Sequence, residues 1–287
     1  MKRTRNLKGW LLCTPALAAM ALVTAYPILY AVQLSLYRYD LRFATPPEFV
    51  GLGNYFSVLS SEIWWQALWN TLLITIVSVF FELLLGFALA LLMHKAVFGR
   101  RTVRSAVLVP YAIITVVAAL AWKFAFDPTT GFVNRLLGTD LAWLNQRWSA
   151  FVVIIVSEIW KTTPFMALLL LAGLSLIPDE VIKAARVDGA SAMQRLRLII
   201  LPLMKPSIVV ALLFRSLDAF RIFDAVYVLT RGAHGTESVS VVGYNTLIAR
   251  LNLGLGSAVS VLIFLCALAI ALLFIKGFGT PLLRAGR

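Results

Sequence analysis

Long runs of apolar residues without a single charge constrain this chain more than any other feature. Residues 9–37 contain no Asp, Glu, Lys or Arg, and residues 251–275 are equally free of charge. A helix needs about 20 apolar residues to cross the hydrocarbon core of a bilayer, and both runs exceed that length. Only 14% of the residues are charged and 61% are hydrophobic, which excludes an ordinary soluble domain. The sequence therefore predicts an all-α membrane protein.

Six stretches are long and apolar enough to be membrane-spanning helices. The first is too long for a cleaved signal peptide, whose apolar core has about 7 to 15 residues. The fifth is the least apolar, and the distribution of basic residues is the reason for including it. The predicted spans are residues 9–37, 63–93, 105–126, 148–177, 206–229 and 251–275.

Basic residues fall unequally on the two sides that six alternating spans define. Of the 26 Lys and Arg residues, 16 lie on the side of the two termini, 6 on the other side and 4 within spans. Because basic residues concentrate in cytoplasmic connections, both termini are predicted to be cytoplasmic. The clusters are short and separated by apolar runs, so they indicate a protein in a lipid membrane and exclude a nucleic-acid partner.

This topology predicts three parts. Residues 1–65 contain the N-terminal tail, the first span and the first outer loop, residues 66–276 form the transmembrane core, and residues 277–287 form a cytoplasmic tail. Within the core, the inner connection at residues 178–205 is far longer than the roughly 2–8 residues that usually join helices. A connection of this length is expected to have its own structure.

The connection at residues 178–205 has the capping residues of two short helices. Acidic residues open the first helix, and Gly189 suits a left-handed cap at its end. Ser191 and Gln194 match a capping box that starts a second helix, which is predicted to end near Pro202. The pattern predicts a helical knob with a face of small residues, although a plain linker is the alternative.

The motifs of several enzyme classes are absent from the sequence. No Gly-Lys-Ser or Gly-Lys-Thr occurs, so the chain has no P-loop for nucleotide phosphates. Gly-x-Ser-x-Gly and His-Glu-x-x-His are also missing, and there are only 2 His residues. We therefore predict a chain without a catalytic site, a metal site or a cofactor of its own.

Charged residues inside the spans are the strongest candidates for function, because each costs about 3 kcal/mol or more at mid-bilayer unless it is paired or hydrated. Arg215, Asp218, Arg221 and Asp224 alternate in sign at a spacing of three in the fifth span. They either neutralise one another along the helix or face a water-filled cavity and bind a polar solute. Phe223 lies among them and serves either as a stacking surface or as a packing residue.

Two further pairs of charges within the spans are expected to neutralise each other. Glu158 and Lys161 are three residues apart in the fourth span, which predicts an internal ion pair. Glu82 in the second span and Lys123 in the third are predicted to bridge those two helices.

Several stretches resemble a known family. The chain has Lys-Ala-Ala at 183–185, Asp-Gly-Ala at 188–190 and Ile-Leu-Pro at 200–202. These resemble the signature loop of permease subunits in binding-protein-dependent ABC importers, whose pattern is Glu-Ala-Ala, Asp-Gly-Ala and hydrophobic-Leu-Pro. Residues 49–55, 70–71 and 127–134 are similar to the sugar-importing branch. Residues 158–166 and 217–224 resemble its trehalose-importing members of the mycobacterial type.

The resemblance implies a type I ABC importer permease with six transmembrane helices, which forms half of a pathway for a disaccharide, with trehalose expected first. Implied partners are a second permease subunit, two copies of an ABC ATPase that bind ATP and Mg, and an extracytoplasmic sugar-binding lipoprotein. The implied ATPase-docking residues are Lys183, Ala184, Ala185, Asp188, Gly189 and Ala190. Lys183 stands where the family usually has Glu, so a salt bridge made by that Glu does not carry over.

Two alternatives follow from the same residues. One is an ABC permease for another sugar compound, such as maltose or glycerol 3-phosphate. The other is an ion-coupled secondary transporter, for which an internal repeat and broken mid-membrane helices are expected. The sequence indicates neither of these two features. The residues predicted from their charge or ring to lie in the substrate pathway are Arg215, Asp218, Arg221, Phe223 and Asp224.

Overall fold

The computed structural model describes residues 2–95 and 100–282. Residues 96–99, between the second and third predicted spans, and residues 283–287 of the predicted C-terminal tail lie outside the described residues. The chain divides into two compact units. One contains Met1–Trp65 and Val242–Leu265, and the other contains Gln66–Val241 and Cys266–Arg287.

The first unit combines a long helix with a short antiparallel hairpin, in which Tyr37 pairs with Phe49 and Arg38 with Glu48. Its N-terminal elements are α1 (Lys2–Ser35), β1 (Tyr37–Arg38), β2 (Glu48–Phe49) and α2 (Gly53–Leu59).

A few polar contacts fix this hairpin. The side-chain amide of Asn54 donates to the backbone carbonyls of Ser35 and Tyr37, at 2.8 Å each. The backbone of Gly254 approaches the same hairpin so closely that a Cβ atom would collide with the carbonyl oxygen of Tyr37. Only glycine fits there, since every other residue brings a Cβ atom.

The remaining helices follow in chain order, and α3, α12 and α13 each have residues in both units. Their bounds are α3 (Glu62–Lys95), α4 (Arg100–Ala112), α5 (Thr115–Ala125), α6 (Val133–Leu137), α7 (Arg147–Leu174), α8 (Asp179–Val187), α9 (Ala192–Arg195), α10 (Leu201–Phe220), α11 (Asp224–Leu229), α12 (Val239–Tyr244) and α13 (Leu253–Leu282). Short 3₁₀ turns lie at Trp143–Asn145 and Ala233–Gly235, and π-helical segments lie at Leu196–Ile200 and Asn245–Ala249.

Five helical segments in the described chain are long and apolar enough to cross a membrane, and a bent pair of helices makes up to six. They confirm the predicted first, second, fourth and sixth spans within a few residues, whereas the segment that contains the fifth begins well before residue 206. The five segments are Cys13–Ser35, Glu62–His94, Arg147–Leu174, Ala192–Leu229 and Leu253–Gly277.

The third predicted span is not one continuous helix. It is broken into Ser105–Ala112 and Thr115–Ala125, which meet at an angle of 89°. Ile114 has an extended backbone with ψ of 133°. It lies in a run of five β-branched residues, 113–117, whose side chains lower helix propensity. The expectation of unbroken helices is therefore wrong for this span.

The fifth span departs from prediction at both ends. The helix that starts with the capping box at Ser191 does not end near Pro202 but continues through the π segment Leu196–Ile200 into α10. Pro202 has no N–H to donate, and the Leu201 N–H reaches back five residues to the carbonyl of Leu196. At its other end α10 stops at Phe220, before a break that separates it from α11.

Helix α7 lies at the centre of the second unit and packs against α4, α10 and α11. One apolar cluster contains Met166, Leu170 and Met204, all fully buried, and a second contains Ile74, Phe151 and Val226. Two glycines allow the close helix packing. A Cβ atom on Gly86 would lie 2.8 Å from the Met166 side chain, and one on Gly173 would collide with Ser207.

Candidate functional site

A cavity of about 560 Å³ lies in the second unit, between the two broken helices and α7. The break between α4 and α5 forms one wall, the middle of α7 forms another, and the break between α10 and α11 forms a third. Polar and charged side chains in the lining are Thr115, Ser157, Glu158, Lys161, Thr162, Asp218, Arg221 and Asp224, with Tyr111, Trp122 and Phe223 as aromatic residues.

Four of the five predicted pathway residues line this cavity, namely Asp218, Arg221, Phe223 and Asp224. The fifth, Arg215, is fully buried behind the wall. Helical spacing alone predicts that the charges pair along one helix, but the helix ends at Phe220 and interrupts that series. Only the pair Arg215 and Asp218, three residues apart within α10, has that ion-pair contact among the described residues.

Arg215 is the centre of a buried charge cluster. Its Nε donates to Oε2 of Glu82 at 2.6 Å, and a terminal nitrogen donates to Oε1 of the same carboxylate at 2.9 Å. The second terminal nitrogen donates to Oδ2 of Asp218. Glu158 Oε1 lies 3.5 Å from the guanidinium, and the hydroxyl of Thr162 lies 3.1 Å from it. Helices α3, α7 and α10 are thus joined through one side chain.

Both predicted pairs of charges outside the fifth span are wrong. Glu82 pairs with Arg215, while Lys123 donates to the backbone carbonyl of Val228 at 3.2 Å. Lys161 does not form an ion pair with Glu158. Its ammonium donates to the backbone carbonyl of Ile113 at 2.5 Å. The observed partners lie far away in the sequence, so neither spacing along one helix nor opposite charge on two spans identifies them, and only the fold brings them together.

The cavity wall at the two breaks is also held by local contacts. The hydroxyl of Thr115, the first residue of α5, donates to Oδ2 of Asp224, the first residue of α11. Phe223 stacks on Tyr227 with ring centroids 5.1 Å apart. Sequence reasoning missed Thr115, Ser157 and Thr162, although hydroxyl residues within apolar spans were a usable signal.

The connection at residues 178–205 has the predicted capping chemistry. Helix α8 opens with Asp179 and Glu180, and Gly189 follows it with φ of +77°. Ser191 and Gln194 form the capping box in both directions, with donor–acceptor distances of 3.3 and 2.7 Å. The two helices predicted for this connection are therefore present, with the second extended into α10.

The predicted docking residues lie on and just after α8. Lys183, Ala184, Asp188 and Gly189 are exposed, while Ala185 is buried and Ala190 is half-buried. The side chain of Arg195 donates to the backbone carbonyl of Ala190 and thereby ties the turn to the next helix. Val187 is 87% exposed, which leaves an apolar side chain in solvent beside the small residues.

Within residues 2–95 and 100–282, no group of three or more His, Cys, Asp or Glu side chains is arranged to hold a metal ion. The carboxylates of the cavity are instead placed next to Arg, Lys and hydroxyl groups. This arrangement suits recognition of a polar solute through hydrogen bonds.

Five or six apolar helices, a polar cavity between broken helices and an exposed, capped excursion between spans define the membrane subunit of a solute transporter. The chain belongs to the family of binding-protein-dependent transport system inner membrane components, which matches residues 82–281. It is therefore a multi-pass permease subunit of an ABC importer, as the sequence resemblance implied.

Two curated relatives match most of the chain. The trehalose transport system permease protein SugA of Mycobacterium tuberculosis is 54% identical over 271 residues, which cover 94% of this chain and 88% of the relative. The trehalose/maltose transport system permease protein MalF of Thermococcus litoralis is 39% identical over 277 residues, 93% of this chain and 92% of the relative.

Solved structures agree on the fold. A chain of the bacterial ABC transporter that imports the acidic polysaccharide alginate matches with a TM-score of 0.81 at 24% identity, covering 96% of this chain and 98% of the other. A chain of the MetNI methionine ABC transporter matches with a TM-score of 0.56 over 73% of this chain and 92% of the other. The predicted type I importer permease fold is confirmed.

Proposed function

We propose that this chain is one half of the translocation pathway of an ATP-driven trehalose importer. The observation that carries the proposal is the charged cavity between the two broken helices, in a chain 54% identical to a trehalose permease. A volume of about 560 Å³ is within the range of small-molecule sites. Carboxylates accept hydrogen bonds from sugar hydroxyls, and Arg and Lys donate to sugar oxygens.

The charges of the cavity favour a neutral sugar over an anionic one. Three carboxylates, of Glu158, Asp218 and Asp224, face the cavity, against two cations, of Lys161 and Arg221. A phosphate ester such as glycerol 3-phosphate would meet like charges, which disfavours its binding. Maltose remains a competing substrate, since both disaccharides are neutral and rich in hydroxyls.

The proposed assembly has two permeases, two copies of an ABC ATPase and an extracytoplasmic sugar-binding lipoprotein. ATP and Mg are bound by the ATPase subunits, which dock on α8 and the turn at Gly189. Support comes from the exposure of Lys183, Ala184 and Val187, because a protruding helix with small and apolar residues can enter a socket closely. Both termini are proposed to be cytoplasmic, on the distribution of basic residues.

The experiment is purification of the tagged chain from its native membrane, identification of the subunits that come with it, and measurement of ATPase activity with trehalose and with maltose. Stimulation by trehalose above maltose supports the proposed substrate. The reverse preference makes maltose the substrate, and a chain that purifies without an ATPase contradicts the importer assembly, so ion-gradient uptake is tested next.

The docking surface has its own control. Ala184→Glu in α8 is expected to abolish co-purification of the ATPase, because a charged, longer side chain blocks close docking. Leu136→Glu changes another exposed position, in α6 on the predicted outer side. It is expected to leave ATPase association unchanged. Equal effects of the two variants would contradict docking at α8.

A further inference from the structure

The side chain of Arg215 is fully buried and does not line the cavity, but it contacts the carboxylates of Glu158 and Asp218, which do. The side chains of Arg215 and Glu82 are fully inaccessible, whereas those of Glu158 and Asp218 are 14% and 60% exposed. The cluster therefore runs from a closed interior to the cavity wall. Glu82 is at the buried end, and Asp218 is at the open end.

If Arg215 served only to neutralise the charge of Glu82, its contacts with Asp218 and Thr162 would not be needed. A bidentate contact between the guanidinium and Glu82, at 2.6 and 2.9 Å, already pairs the two buried charges. The guanidinium has five N–H donors in a rigid plane, so its remaining donors face other groups in fixed directions. They meet Asp218 and Thr162, with Glu158 at 3.5 Å.

The plane of the guanidinium is fixed from the buried side. The hydroxyl of Thr162 on α7 lies 2.7 Å from Oε1 of Glu82 and accepts a hydrogen bond from Arg215 at 3.1 Å. Glu82 on α3 is fully buried. Because residues of two neighbouring helices hold the guanidinium group, the nitrogen that faces Asp218 has little freedom to move. The carboxylate of Asp218 is therefore held in place by its contact with this nitrogen.

We propose that Arg215 is a positioning residue for sugar recognition, which fixes the carboxylate of Asp218 in the direction of the substrate. This inference rests on the proposed function. Asp218 then accepts hydrogen bonds from sugar hydroxyls in one geometry, so less side-chain entropy is lost when the sugar binds. Arg215 itself does not touch the sugar.

A double-mutant cycle tests this role in the complete reconstituted transporter, with trehalose uptake as the readout. The variants are Arg215→Lys, Asp218→Asn and the combination of both. Lysine retains the charge opposite Glu82 but lacks the fork that reaches Asp218. Each single variant is expected to raise the half-saturating trehalose concentration about tenfold, in line with the loss of one hydrogen bond to a charged group. The maximal rate is expected to change little.

The combination distinguishes positioning from a merely structural role. If Arg215 acts through Asp218, the double variant is no worse than Asp218→Asn alone, because the group to be positioned is already altered. Multiplicative effects on the half-saturating concentration would overturn the inference. So would an Arg215→Lys variant that lowers only the maximal rate or the amount of assembled complex.

A second pair of variants changes no charged residue. It tests the same inference if the Arg215→Lys transporter does not assemble. Thr162→Val removes the hydroxyl that holds the guanidinium and is expected to raise the half-saturating concentration severalfold. When it is combined with Asp218→Asn, it is expected to cause no further increase. Its control is Thr163→Val. Thr163 is equally buried but donates only to the backbone carbonyl of Ile159 in the described contacts. Identical effects of the two valine variants would contradict the inference.

The wild-type transporter separates this inference from the proposed function. If the wild type takes up maltose and not trehalose, the proposed substrate is wrong, and the same cycle is measured with maltose. If the wild type takes up trehalose but the cycle is multiplicative, only the positioning role is overturned. A wild-type complex that takes up neither sugar overturns both.

Discussion

The ammonium of Lys161 donates to the backbone carbonyl of Ile113 at 2.5 Å, at the point where the third span breaks. A broken helix within a membrane leaves carbonyl groups without helical partners, and each such group costs several kcal/mol in hydrocarbon. Lys161 lies on the neighbouring helix α7 and is 9% exposed. One buried cation therefore pairs with a backbone group that the bend of 89° leaves open.

We expect Lys161→Met to destabilise the bend between α4 and α5. Loss of a buried hydrogen bond from a charged donor costs about 1–3 kcal/mol, so the unfolding temperature of the purified protein falls. Lys161→Arg is the control, because it retains a charged donor of similar reach. Thermal unfolding in detergent measures the difference. A methionine variant as stable as the wild type would show that the bend does not depend on this contact.

The left-handed backbone conformation of Gly189 is expected to matter for ATPase docking. It has φ of +77° and open space around the position of a Cβ atom, so a side chain there meets only the backbone cost of the left-handed conformation. That cost is about 1–2 kcal/mol for most residues and smaller for Asn. We expect Gly189→Val to distort the turn after α8 and weaken co-purification of the ATPase. Gly189→Asn is expected to retain it, and equal retention by both variants would contradict the role of the turn.

Gly173 predicts a packing effect between α7 and α10. A Cβ atom at this position would collide with the side chain of Ser207, so Gly173→Val forces the helices apart at a cost of about 1–3 kcal/mol or more. Gly277→Ala in α13 is the control, because nothing lies within 4 Å of the added carbon. Thermal unfolding is expected to show a lower transition temperature for Gly173→Val alone. A similar decrease in both variants would show that the effect comes from replacing a glycine in a helix and not from the contact with Ser207.

The hydrogen bonds to Asp127 predict that the stability of the loop after α5 depends on pH. The backbone N–H of Thr130, together with the hydroxyl of Thr129 and further bonds from the same two residues, holds the pKa of Asp127 well below its usual range. Because the folded pKa lies below the unfolded value of about 3.9, the stabilising contribution is complete above that pH. It is lost as the pH falls towards the folded pKa.

Hydrogen exchange of residues 127–131 measures this effect. We expect the wild type to be protected from exchange at neutral pH and to lose that protection as the pH falls below about 4. In Asp127→Asn, which has no carboxylate to titrate, protection is expected to be weaker at neutral pH and to change less with pH. A variant with the protection and the pH profile of the wild type would exclude Asp127 as the group that holds the loop.

Much of the candidate site was predictable, but its contacts were not. Charge within an apolar span identified Asp218, Arg221 and Asp224, since such residues are rarely kept in a membrane without a partner or a cavity. Their partners lie elsewhere in the sequence: Arg215 pairs with Glu82, 133 positions away. A spacing rule for one helix cannot detect that pair.

The sequence by itself determined the membrane class, the number and approximate position of the spans and the capped connection at residues 178–205. Apolar length, capping residues and glycine conformations are local properties that each segment carries alone. Only the tertiary structure decided where the third and fifth spans break, which carboxylate faces the cavity and which cation is buried behind it. Those outcomes depend on the free energy of pairing polar groups on different helices in a medium without water, and that pairing exists only after the helices have packed.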